Sequence, residues 1–201
     1  MSKRTPPAVA RKRTVKPVAV LHDDKWLSAH RVNVHFDNGK TIKNFLILRM
    51  KGNGYVSVTA RLTDGRFVLT EQCRPIAGMS IESAGGVYET KKKAEAVVKM
   101  ELAQETGYRP GRLVRINRFG FYSETDRIDD RCHLFLAFDC KPLPQLGRQD
   151  EKQGVGTLIL TAAQVVQKIL RGEIKDLATI AGIFAHLLHA HEGEKVFLKG
   201  R

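Results

Sequence analysis

Residues 82–108, ESAGGVYETKKKAEAVVKMELAQETGY, constrain this chain more than any other stretch. Gly85 and Gly86 form a turn whose backbone can take positive φ and approach a ligand closely. From Lys92 to Thr106 there is no Pro or Gly, and good helix formers dominate. The spacing predicts one helix over that span, stopped by Gly107. Ala94, Val97, Val98 and Leu102 recur at helical spacing and make its buried stripe. Glu101 and Glu105 stand one turn apart, so both carboxylates leave the same face. Two carboxylates facing a Gly-rich turn suit a hard divalent cation with oxygen ligands. The residues alone also allow a plain amphipathic surface helix.

The same stretch resembles the Nudix box: Gly, five residues, Glu, seven residues, Arg-Glu-apolar, one residue, Glu-Glu, one residue, Gly-apolar. Anchored at Gly86, the chain supplies Gly86, Glu101, Leu102, Glu105, Gly107 and Tyr108 in the matching places. It departs at Lys92, Met100 and Gln104, where the family has Glu, Arg and Glu. The first two of those pair with each other in the family, so losing both leaves no orphan charge. Further runs resemble the ADP-ribose pyrophosphatase and nucleoside-diphosphate-sugar branch. They are Phe67–Arg74 (FVLTEQCR), Glu82–Gly86 (ESAGG), Asp150–Gln153 (DEKQ) and Glu173–Thr179 (EIKDLAT). The likeness runs from about Trp26 to Leu188, most of the chain.

That resemblance implies an α+β fold, the Nudix α/β/α sandwich with a mixed β-sheet, plus a small N-terminal β-sheet appendage. It implies an appendage at 18–53 through which relatives dimerise and a hydrolase domain at 54–201, while the acid-free charge run and the prolines of 1–17 read as a disordered basic arm. The implied activity is metal-dependent hydrolysis of ADP-ribose or a nucleotide sugar to a nucleoside monophosphate and a sugar phosphate. Glu101 and Glu105 would ligate Mg²⁺, or Mn²⁺, with the Gly85 carbonyl as an extra ligand. Glu151 would be the general base, Gln153 occupying the neighbouring acidic place, and Glu105 would share the catalytic role through the metal. Arg74 at a strand end would bind the diphosphate bidentately, and Glu82 and Gly86 would complete the substrate site. Each has a plainer reading: Arg74 as a surface ion pair, Glu151 as a solvated loop charge.

Outside the box the signals are weaker. Two hundred and one residues fit one domain of ordinary size with at most a small appendage. No run approaches the length of a membrane-spanning helix and the N-terminus lacks a secretory apolar core. Cys73, Cys132 and Cys140 are odd in number and lack CxxC spacing, which points to free thiols and a cytoplasmic setting. The net charge is +13, of which Lys3, Arg4, Arg11, Lys12, Arg13 and Lys16 supply six, leaving +7 for the body. A basic body suits an anionic phosphate substrate. The arm reads as a solvated tail, or else as attraction to nucleic acid or a targeting peptide.

Residues 27–50 read as a hairpin turning at Asp37-Asn38-Gly39, followed by a linker at Lys51–Gly54. Trp26, just before it, either stacks a nucleobase or simply packs. Tyr55–Leu62 and Arg66–Cys73 are predicted strands around Thr63-Asp64-Gly65. Strands are also predicted at 112–117, 131–139 and 158–160. Phe119, Tyr122 and Glu124 are candidate substrate contacts in the loop between the first two of these. Thr161 and Gln164 form a capping box. Asp176 caps a last helix with an apolar face of Leu177, Ile180, Ile183, Phe184, Leu187 and Leu188. His186, His189 and His191 lack zinc-site spacing and read as its polar face. Two other functions stay open. Lys92, Met100 and Gln104 fit a weakened Nudix domain acting as a nucleotide sensor. The basic arm fits an RNA-associated pyrophosphohydrolase, although no RRM, KH or zinc-finger pattern is present and nucleic acid is not an expected partner.

Overall fold

The computed structural model describes residues 11–88, 91–144 and 156–192, with side chains to 189. In chain order it contains β1 (Arg13–Asp23), β2 (Leu27–Phe36), β3 (Thr41–Met50), β4 (Tyr55–Leu62), β5 (Phe67–Arg74), β6 (Gly78–Glu82) and β7 (Ala84–Val87). Helix α1 (Ala94–Thr106) is followed by β8 (Tyr108–Arg109), β9 (Arg112–Arg115), β10 (Phe121–Tyr122), β11 (Ile128–Asp129) and β12 (Arg131–Pro142). Last come β13 (Gly156–Leu160), α2 (Ala162–Leu170) and α3 (Leu177–Glu192). The chain divides into two compact units. One joins the N-terminal residues up to Lys51 with Glu124–Asp130, and the other holds the remainder.

The first unit is a four-stranded sheet in the order β1-β2-β3-β11, with β11 parallel to β3. β1 begins at Arg13, so Arg13–Pro17 are strand and not the disordered arm expected of them. Their side chains gave no alternating apolar signal because this edge strand is exposed almost throughout. Pro17 is tolerated there because the β1–β2 register shifts immediately after it.

The second unit is a mixed sheet whose main order is β10-β12-β4-β5-β13, with β12 parallel to β4. The sheet carries a core on each face. Val56, Val58 and Ala60 pack with Ala94, Val97, Val98 and Leu102 of α1 on one face. On the other face Phe67, Leu69 and Ile81 meet Val165 of α2, Ile174 and Ile183 of α3. Each such fully buried aliphatic side chain contributes about 1.5–3 kcal/mol of transfer free energy. This is the helix–sheet–helix sandwich.

The second face also carries a polar seam. Thr59 Oγ lies 2.7 Å from Ser83 Oγ, and the Ser83 amide donates to Thr179 Oγ at 2.8 Å. A Cβ on Gly182 would lie 2.0 Å from Thr59 Oγ, so α3 reaches β4 only because that residue is glycine. His186 closes the seam: it is fully buried and donates Nε2–H to Thr59 O at 2.7 Å. Reading it as part of a polar surface is therefore corrected. The α3 stripe is also narrower than expected, since Leu177, Phe184 and Leu188 are exposed while Ile183 is buried. His189 packs on Phe138, and the His191 side chain lies outside the described residues.

Candidate active site

The acidic helix meets the glycine pair, but Gly85 and Gly86 lie in strand β7, paired with Ser57 and Val56 of β4, and not in the positive-φ turn expected of them, because ladder pairing holds their backbone extended. α1 ends at Thr106, and Gly107 takes φ 73° with its amide on Ala103 O. Along the helix, Glu105 accepts the Gly85 amide at 3.1 Å. One turn earlier, Glu101 lies against Gly86, where an added Cβ would fall 2.4 Å from Oε1. The two carboxylates therefore face consecutive residues of β7. An added Cβ on Gly85 would instead meet the backbone oxygen of Val56 at 2.4 Å.

The two glycines should fail differently. In Gly86→Ala the obstacle is the end of a flexible side chain, so the Glu101 carboxylate yields. Turnover is expected to fall with little change in melting temperature. In Gly85→Ala the obstacle is sheet backbone, so the melting temperature itself is expected to drop. Thermal unfolding measured beside steady-state kinetics separates the two.

Arg74, at the end of β5, turns its guanidinium onto Glu82. Nε and Nη2 donate to the same Oε2 at 2.9 and 2.6 Å. Gln72 Nε2 reaches that oxygen at 3.4 Å. The Glu82 side chain is only 10% exposed, that of Arg74 45%. The hydrogen bond to Glu82 raises the Arg74 pKa first, and the charge of Glu105 acts in the same direction. Arg74 thus stands within the field of both Glu82 and Glu105. Sequence reasoning passed over Gln72, although residues 70, 72 and 74 share one face of β5 by strand alternation. Removing the guanidinium in Arg74→Met should destabilise the fold by about 1–2 kcal/mol, because it leaves a largely buried carboxylate while its own exposure tempers the loss. Urea unfolding checks this.

Glu151 and its neighbours Asp150 and Gln153 lie outside the described residues. Glu124 belongs to the first unit, where its carboxylate accepts the amides of Asp126, Arg127 and Ile128 at 2.6, 2.6 and 3.0 Å. Those bonds, Arg127's first, hold its pKa below the usual carboxylate range. Its carboxylate is committed to shaping that turn. Trp26, also in the first unit, is 53% exposed with Lys25 Nζ 4.5 Å over its ring. Phe119 and Tyr122 are exposed, the latter beneath Arg131 at 5.4 Å.

Among the described residues no three His, Cys, Asp or Glu side chains group as a metal site. Glu101 and Glu105 are instead two hard oxygen donors beside the backbone of β7. That set matches Mg²⁺, which is commonly held by one or two carboxylates with water and substrate phosphates completing the shell. The residues fit the ion.

No protein-family model matches the chain. It is 27% identical over 177 residues to the ADP-ribose pyrophosphatase of Bacillus subtilis (strain 168), covering 87% of this chain and 93% of that protein. Its structure resembles the crystal structure of an ADP compounds hydrolase, with TM-score 0.70 and 14% identity over 92% of this chain and 98% of the other. The expected sandwich with its mixed sheet is the fold found.

Proposed function

We infer that this chain is a pyrophosphatase of the Nudix family that hydrolyses a nucleoside diphosphate linked to another moiety, ADP-ribose foremost. Water adds to one phosphorus and the bridging P–O bond breaks, giving AMP and ribose 5-phosphate. The observation that carries this reading is the placement of Glu101 and Glu105 against Gly86 and Gly85, beside Arg74. The likeness to an ADP-ribose pyrophosphatase supports the substrate class.

Glu101 and Glu105, with the Gly85 carbonyl as a further donor, would hold Mg²⁺ or Mn²⁺. Bound there, the ion supplies charge neutralisation and an acidified water. Arg74 offsets charge on the diphosphate, and Glu82 fixes the plane of its guanidinium. Gly86, without a side chain, leaves room for the Glu101 carboxylate at the substrate site. Glu151 is the proposed base. Exposed Val18, Val20 and Leu21 on β1 support a homodimer through the N-terminal sheet. Free Cys73, Cys132 and Cys140 support a reducing, cytoplasmic setting. Among the described residues no helix is long and apolar enough to cross a membrane.

The test is turnover of a panel of nucleoside diphosphates, with ADP-ribose, GDP-mannose and dinucleotides included, in Mg²⁺ and in excess chelator. Metal-dependent release of a nucleoside monophosphate from one member is the expected result. Nucleotide binding without turnover across the panel would replace this reading with the sensor function that Lys92, Met100 and Gln104 suggest.

A further inference from the structure

We propose that Arg115 is a positioning residue that ties the end of β7 to the start of the Glu101/Glu105 helix. β7 ends at Val87 and α1 begins at Ala94. The helix start has little local support. Lys93 occupies the N-cap without a side-chain hydrogen bond, and Glu95 is the only acid in the first turn. Lys91, Lys92 and Lys93 all stand at the positive end of the helix dipole, where cations are unfavourable. Something outside the helix must fix where it begins.

Arg115, on β9, reaches both ends. Its Nη2 donates to His133 Nδ1 at 2.6 Å, and its Nη1 lies 4.0 Å from Glu95 Oε1. Nδ1 is thereby an acceptor, so the His133 proton sits on Nε2 and is donated to Asn53 O at 3.0 Å. The imidazole meets the Tyr88 ring edge-on at 5.2 Å. The Tyr88 backbone is held by the same segment, donating to Gly54 O at 2.9 Å and accepting from Asn53 N at 3.0 Å. Gly120 lies beside the same ring nitrogen of His133, where an added Cβ would stand 3.1 Å from Nδ1. One guanidinium thus links, through His133 and Tyr88, the end of the strand that holds Gly85 and Gly86 to the first turn of the helix that faces it.

The kinetic part of this inference rests on the hydrolase reading; the metal-binding part does not. In the full chain, Arg115→Met is expected to weaken Mn²⁺ binding, read by electron paramagnetic resonance without substrate, and to lower kcat on ADP-ribose. Both losses should be about 10- to 100-fold, the usual effect of removing a group that orients metal ligands. KM should stay nearly unchanged, because Arg115 is assigned to orienting the metal ligands and not to holding substrate. Arg115→Lys, which keeps a donor for His133, should recover most of the loss. Glu95→Gln, at a half-exposed site that leaves folding intact, should move both readouts in the same direction by less. Unchanged Mn²⁺ affinity in Arg115→Met, an effect confined to KM, or a Lys variant as impaired as Met would overturn the proposal. A wild-type chain that binds Mn²⁺ but turns over no substrate would sink the hydrolase reading and leave the Mn²⁺ comparison to decide on Arg115.

Discussion

Glu105→Gln is expected to lower kcat on ADP-ribose by about 1,000-fold, roughly 4 kcal/mol of transition-state stabilisation. The substitution isolates charge from shape. Gln keeps an oxygen that can accept the Gly85 amide, now held at 3.1 Å, so β7 and α1 stay joined and the melting temperature should hold. What disappears is a negative donor beside Glu101. Affinity for the ion falls, so raising Mg²⁺ should recover only part of the rate. Steady-state kinetics over a Mg²⁺ series, with thermal unfolding alongside, make the check. A variant that keeps more than a tenth of wild-type activity at saturating Mg²⁺ would remove Glu105 from the metal site. The Glu101 variant should behave similarly in kinetics. Its carboxylate lies against Gly86, whose missing Cβ gives it room.

Those two glutamates were legible because their signal is local. Helical spacing put them on one face, and Gly107 marked the end of the helix through the positive φ that glycine tolerates. The helix start was less legible. Lys92 was expected inside α1, yet the helix begins at Ala94, with no capping side chain to mark the boundary in the sequence. Arg74 and Glu82 were each read as facing substrate. That they face each other depends on the β5–β6 register, which places Arg74 opposite Gly78 and Thr70 opposite Glu82. For Glu124, the bonds to three following amides are a turn geometry that composition does not reveal. His186 lies three residues beyond Ile183, on the buried stripe of α3 by periodicity alone. It was read as surface because the carbonyl that satisfies it, on Thr59, stands 127 residues away.

That buried imidazole makes the fold acid-sensitive. Burial, the largest cause, pushes the His186 pKa from 6.5 down to about 4, against the hydrogen bond to Thr59. The charges that face it, Arg61, His189 and Arg112, push the same way. Because the folded value lies below the unfolded one, the unfolded chain binds the proton more readily. The contribution of neutral His186 is fully present above pH 6.5 and is lost as pH falls towards 4. Linkage then gives a loss of about 2 kcal/mol between pH 7 and pH 5, and about 3 kcal/mol by pH 4. His133, also lowered chiefly by burial, adds in the same direction. Urea unfolding at intervals from pH 7 to pH 4.5 should show this decline. In His186→Gln, which keeps an N–H donor for Thr59 and cannot titrate, the slope should flatten even though the variant starts from lower stability. An equal slope in both proteins would mean that His186 is not the group that titrates. The decline would then belong to His133, and His133→Gln would be the variant that flattens it.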